Sequence, residues 1–161
     1  MNDPLLETIE RTAVRPAFEL LAKPWTNEAR VMMLTIGLQE SQFKYRRQMN
    51  QGPATGFWQF ENGGGVRGVM THDASKLLAE RLCKARGVAF TRGDVWARLE
   101  TDDVLAAGFA RLLLLTDPKP LPPVLAMHMA WDYYERNWRP GKPHPDKWPA
   151  NHQRVLKYLG L

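Results

Sequence analysis

The sequence has little cysteine: Cys83 stands alone among 161 residues, so no internal disulfide can form. The run from Arg81 to Arg86 around it supplies charge but no histidine, and Cys83 reads as a small buried side chain rather than a nucleophile. Long apolar runs are also missing. None approaches the roughly 20 residues that span a bilayer, so no integral membrane segment is expected. The opening Met1-Asn2-Asp3-Pro4 lacks the cationic start of a secretory signal peptide, which implies synthesis in the cytoplasm and delivery by another agent if the target lies outside. His72, His128, His144 and His152 have neither the i, i+4 nor the paired spacing of a zinc site, so no metal and no other cofactor is expected. Gly63-x-Gly65-x-x-Gly68 has the glycine spacing of a dinucleotide-binding turn, but no strand precedes it, which removes that reading. No segment alternates apolar and polar residues as a strand would, and no repeat or linker divides the chain. A single all-α domain over residues 1–161, monomeric, is the expectation.

What is present fits a folded chain. The hydrophobic fraction is 44% and the charged fraction 24%, and a domain near this size buries roughly 70% of the surface its unfolded chain exposes. The net charge is +5 and the isoelectric point about 9.6, which favours an anionic partner without choosing among cell wall, membrane surface and nucleic acid. A nucleic-acid reading has only this charge and the patches Arg46-Arg47 and Arg81 to Arg86 behind it, and no nucleic-acid partner is expected.

Apolar residues recur at helical spacing from Leu5 to Leu21 behind Asp3 as a cap and Pro4 at the first helical position, with Pro16 kinking or dividing the helix. A second helix, capped by Thr26 or Asn27, runs to about Phe43. Its Val31, Met32, Met33, Leu34, Ile36 and Leu38 cover nearly the whole circumference, which marks a central helix buried on most sides. Residues 44–65, with Gly52, Pro53, Gly56 and the Gly63-Gly64-Gly65 run, read as an extended loop, and a loop this long in a small domain is usually functional. Further helices are predicted over about 73–86, 92–99, 102–115, 122–138 and 151–159, with a Pro-rich strap from Arg139 to Pro149.

The chemistry gathers at Glu40, a carboxylate at the end of the central helix, followed by Ser41 and Phe43 and then by the Gly-rich aromatic loop. That position desolvates the acid and raises its pKa, as a general acid working near neutral pH requires. A glycosidase of the two-carboxylate kind needs a partner, and Glu61 and Asp73 are the candidates, Asp73 also reading as a helix cap.

Gln39-Glu40-Ser41-Gln42-Phe43, followed by Pro53-Ala54-Thr55-Gly56-Phe57-Trp58-Gln59, resembles the soluble lytic transglycosylase and goose-type lysozyme family. There a Glu-Ser pair ends a buried helix and a later Gly-Ala-x-Gly-Leu-Met-Gln-like segment lines the sugar groove. The likeness covers roughly Ile36 to Phe60. Pro53 stands where the family has its first glycine, Phe57-Trp58 replace Leu-Met, and Met127-His128-Met129-Ala130-Trp131 is the nearest match to the family's Ala-Tyr-Asn-Ala-Gly stretch, so the tyrosine and asparagine are absent.

The resemblance implies a lysozyme-like helical fold and cleavage of peptidoglycan glycan strands between N-acetylmuramic acid and N-acetylglucosamine. Glu40 matches the catalytic acid. Ser41, Gly56, Phe57 and Gln59 match the substrate-binding segments, with His128 or Tyr133, or else Tyr134, supplying the polar contact of the missing motif. Such a lysin without a signal suits a bacteriophage, as an endolysin acting on the wall after release or as a virion component. The alternative is a lysozyme-like structural or wall-binding protein that has lost activity.

Overall fold

A computed structural model describes residues 2–161, so Met1 of the N-terminal reading lies outside it. Helices hold 63% of the chain and the one sheet among the described residues has two short strands, so the expected all-α frame is present in its coarse form. Helix α1 (Pro4–Ile9) is capped by Asp3, whose Oδ1 accepts from the Leu6 amide at 3.2 Å. It passes through a widened turn, Glu10–Val14, into α2 (Arg15–Leu21). That extra-residue turn comes just before Pro16, whose ring lacks an N–H and collides with the carbonyl four residues back; widening the turn accommodates both.

Helix α3 (Asn27–Ser41) is the spine. Thr26 caps it, accepting from the Ala29 amide at 3.2 Å, and every residue from Val31 to Leu38 is buried. Each large apolar side chain on it contributes roughly 1.5–3 kcal/mol by leaving water. Helices α7 (Asp103–Leu115), α8 (Met127–Trp138) and α9 (Trp148–Leu159) all pack against it. Buried Glu10 receives two hydrogen bonds from Arg30, at 2.6 and 3.1 Å, and one from Tyr158 Oη at 2.8 Å, tying the first helical segment, α3 and α9 together. Unpaired, that carboxylate would cost several kcal/mol.

Helices α5 (Lys76–Ala85) and α6 (Arg92–Leu99) complete the set with α4 (Arg67–Thr71), a helix the sequence reading did not predict. Four boundaries need correction. The loop over 44–65 carries a ribbon, β1 (Ala54–Thr55) antiparallel to β2 (Phe60–Glu61), too short for any alternation to register. Helix α5 begins after Ser75, so Asp73 caps nothing. Helix α8 begins at Met127 because Pro122 and Pro123 hold their preceding residues out of helical conformation, and a turn from the Ala126 amide to Pro123 O (3.0 Å) intervenes. Helix α9 starts earlier than expected, at Trp148, with Pro149 accommodated in its first turn.

Candidate active site

The end of α3 is held by its own next residues. Gln42 and Phe43 both adopt left-handed backbone (φ 54 and 52), which turns the chain back so that the Phe43 ring lies against Gly37, one turn before Glu40. A methyl at position 37 would collide with that ring, which explains a glycine inside a buried helix. Ser41 Oγ donates to Phe57 O at 2.7 Å and accepts from the Phe43 amide at 3.1 Å, so it fastens the helix end to the ribbon loop.

The loop is clamped from every side. Trp58 is buried and donates Nε1–H to Met33 O at 2.8 Å, while its own carbonyl accepts from Trp138 Nε1 at 2.9 Å. Thr55 Oγ1 donates to Trp96 O at 2.8 Å, and Trp96 Nε1 donates to Pro53 O at 2.7 Å. Gly56 has φ +76, and a Cβ there would lie 2.8 Å from Leu99 O. Glycine is required on both counts. Gln59, at φ 53, donates Nε2–H to Gly56 O at 2.8 Å and is partly exposed. Among the described residues, five of the seven non-glycine residues with positive φ, Gln42, Phe43, Asn50, Gln51 and Gln59, fall in this stretch. Strain concentrated in that way marks functional loops.

Tyr134 on α8 donates its hydroxyl to Glu40 Oε1 at 2.6 Å. The tyrosine is buried and rigid, its ring stacked on Trp148 at 5.0 Å and tilted against Trp138 at 6.1 Å. Glu40 sits at the edge of this aromatic stack. Burial pushes its carboxyl from an ordinary 4.5 up to about 7; the Tyr134 hydrogen bond works against that rise and the charge of Glu61 adds to it. A neutral carboxyl whose Oε1 accepts from Tyr134 keeps its proton on Oε2, free to be given away. Beside Glu40, Gln39 donates to His144 O at 2.9 Å and accepts from Asn151 at 2.8 Å, which anchors the Pro-rich strap and α9 at the site's rear.

Two cavities meet beside the ribbon. One, of about 410 Å³, is walled by Pro53, Trp96, Glu61 and the Asn62-Gly63-Gly64 turn. The other, of about 500 Å³, runs from Gln59 and Glu61 past Gly65 and α4 to the C-terminal end of α8. Glu61, Gly63 and Gly64 line both, so the two adjoin at that turn; together they are the groove. Glu40 lines neither cavity; Glu61 is the carboxylate in the groove whose charge reaches it.

No protein-family model, curated protein or solved structure matches the chain. The family likeness therefore stands on the two segments that carry it, and the site on its own geometry.

That geometry brings Glu61 and Gln59 together in the groove and sets Glu40 within reach of Glu61's charge, and it corrects the other candidates, Gly56 being buried at the loop's turn and lining neither cavity. Ser41 and Phe57, expected in the groove, are 4% and 3% exposed, Ser41 holding the loop and Phe57 packed edge-on against Phe43 at 5.6 Å. Asp73 is exposed and paired with Lys76 at 2.9 Å, outside the groove, because α5 starts beyond it. Tyr133 is buried with its hydroxyl donated to Leu114 O at 2.8 Å, so it bolts α8 to α7. His128 is exposed in the first turn of α8, and six residues of helix turn it about 120° away from Tyr134. Of the three residues offered for the missing motif, Tyr134 is the one in contact with the acid. Trp96 was missed as a lining residue because its segment carries no motif and only folding brings it to the groove; Arg67, within the Gly63-x-Gly65-x-x-Gly68 run, and Trp138 line it too. Among the described residues no group of three or more His, Cys, Asp or Glu is placed to hold a metal ion, and no helix is long and apolar enough to cross a membrane.

Proposed function

We propose that the chain cleaves the glycan strands of bacterial peptidoglycan between N-acetylmuramic acid and N-acetylglucosamine by general acid catalysis, with Glu40 as the acid. The observation that carries the reading is a carboxyl held protonated to about pH 7 by burial, with one oxygen fixed by Tyr134 and a groove alongside. Glu40 Oε2–H gives its proton to the glycosidic oxygen as the bond from that oxygen to the sugar's anomeric carbon breaks, leaving an oxocarbenium-like centre. The resulting Glu40 carboxylate then takes a proton from the attacking hydroxyl and is reset. If the attacker is the sugar's own hydroxyl, the product is a 1,6-anhydro ring and no second carboxylate is needed. If it is water, Glu61 is the one other carboxylate of the groove available to assist. Tyr134 orients the acid, and Gln59, which lines the groove, supplies a polar edge for the sugars. A phage lysin, released late or carried in the virion, is the setting that fits a wall-cleaving domain of this size.

Mass spectrometry of the soluble products from purified peptidoglycan, treated with wild type and with Glu40→Gln, tests this. Anhydro-muropeptides from wild type alone make the chain a lytic transglycosylase; reducing-end muropeptides make it a lysozyme; no product from wild type refutes the proposal. A second reading, a wall-binding protein without catalysis, is favoured by one observation: Glu40 lines neither cavity. Retained sedimentation with sacculi and no products would establish it.

A further inference from the structure

The smaller cavity, of about 410 Å³, has one charged residue on its lining, Glu61, and one aromatic, Trp96. Glu61 has no lysine, arginine or histidine within ion-pair distance among the described residues. A Cβ placed on Gly64 would lie 3.8 Å from Glu61 Oε2. The carboxylate therefore folds back over the Asn62-Gly63-Gly64 turn, where Gly63 and Gly64 put no side chain between it and the cavity. Trp96 is fixed in place: Nε1–H is donated to Pro53 O at 2.7 Å, and the Arg47 guanidinium lies 4.7 Å from the ring centroid. Arg47 is paired with Glu100 at 3.3 Å and stands outside the cavity's lining, which leaves the ring's other face to the cavity. An electron-rich ring face and an unpaired carboxylate in one small space attract a cation, the first through its quadrupole and the second through charge-assisted hydrogen bonds. A quaternary ammonium has no N–H to give the carboxylate and is held by a cage of several aromatic faces, whereas one tryptophan is present here. A pyranose bearing an amino group satisfies both, with C–H bonds on the indole and the ammonium on the carboxylate.

We propose that this cavity seats a glucosamine residue whose 2-amino group is free, its ring lying on Trp96 and its ammonium held by Glu61, so that de-N-acetylated glycan is preferred there. The inference rests on the part of the proposed function that makes the groove a glycan site, and adds the sugar's substituent to it. Glu61 also lines the larger cavity, and its charge reaches Glu40, so the bound ammonium would stand in electrical contact with the acid. Attack by the sugar's own hydroxyl asks nothing of Glu61 and leaves its carboxylate for the ligand. An N-acetyl group in the same place is neutral and offers the carboxylate a single N–H.

The test measures, by isothermal titration calorimetry at pH 5.5, the affinity of two tetramers for wild type, Glu61→Gln and Trp96→Ala. The tetramers are β-1,4-linked glucosamine and its fully N-acetylated form. Neither contains muramic acid, so binding is read without cleavage. The expected result is a preference for the amino tetramer of about tenfold or more in wild type, reduced to near one in Glu61→Gln, with both affinities lowered in Trp96→Ala. The chain's net charge of +5 repels a polycation, so a preference for one reports a local carboxylate rather than the field of the whole molecule. The wild-type comparison stands even if a variant fails to fold. Equal affinities, a preference for the N-acetylated tetramer, binding of neither, or a preference that survives Glu61→Gln would overturn the assignment. Lysinamide that displaces the amino tetramer as well as methyl glucosaminide does would assign the cavity to any ammonium and overturn it too. Peptidoglycan that yields no product in the separate mass-spectrometric assay would refute the cleavage reading and leave this binding result intact.

Discussion

Replacing Glu40 by Gln should abolish cleavage and yet stabilise the fold above neutral pH. Burial holds the folded carboxyl at about 7, against 4.5 when it is free in water. Below pH 4.5 both states carry the proton and the group is neutral on either side of the unfolding equilibrium. Between pH 4.5 and 7 the unfolded chain ionises this carboxyl while the folded protein holds it neutral, so stability falls across that window and levels off above it. The full difference corresponds to roughly 3 kcal/mol. Solvent at the groove edge screens part of it. For a domain of this length each kcal/mol moves the melting temperature by about 2–4 °C, so Glu40→Gln should melt about 3–10 °C higher than wild type at pH 8. The gap should close near pH 4, since an amide oxygen still accepts from Tyr134. Activity should drop by about 10²–10⁴, the usual worth of a general acid. Paired thermal melts from pH 4 to 9 decide it. A variant that melts below wild type at pH 8, or an offset unchanged across pH, would refute the claim that Glu40 is held neutral by burial.

Three further substitutions probe the same region. Tyr134→Phe removes the hydrogen bond that lowers the Glu40 pKa, so the high-pH limb of the pH–rate profile should move upward while kcat falls through loss of orientation. Glu61→Gln removes the charge that raises Glu40, so the same limb should move downward; a product pattern unchanged by it identifies the anhydro route, and loss of reducing-end products identifies Glu61 as the base. Gly56→Ala forces a Cβ into the left-handed region and against Leu99 O, and should cost about 2 kcal/mol or more, read as a lowered denaturant midpoint.

Position by position, the sequence analysis was strongest where the signal is local. Asp3 and Thr26 sit at helix starts because a short side chain with an oxygen satisfies amides two or three residues on, and each does so in the structure. The buried run from Val31 to Leu38 announced the spine for the same reason: one helix turn covers every direction within four residues. Glu40 was legible as the carboxylate ending that run, and Gly56 as the turn its loop needed. Where two local signals competed, the reading slipped. Pro122-Pro123 looked like a helix start and proved to be a turn before one, and Asp73 looked like a cap two residues ahead of Ser75.

What only the tertiary structure decided is which side chains share a space. Tyr133 and Tyr134 are neighbours in sequence, yet a 100° step around α8 sends one hydroxyl to Leu114 O on α7 and the other to Glu40, 94 residues away. Phe57 and Gln59 sit two apart on a tight loop, and one is core while the other lines the groove, because Trp58 between them is anchored to Met33 O. Caps, helical periods and the acid's position follow from interactions within a few residues, which a sequence displays directly. Burial of the acid, its tyrosine partner and the meeting of Glu61 with Trp96 at one cavity depend on packing between segments far apart in the chain, which only the folded arrangement fixes.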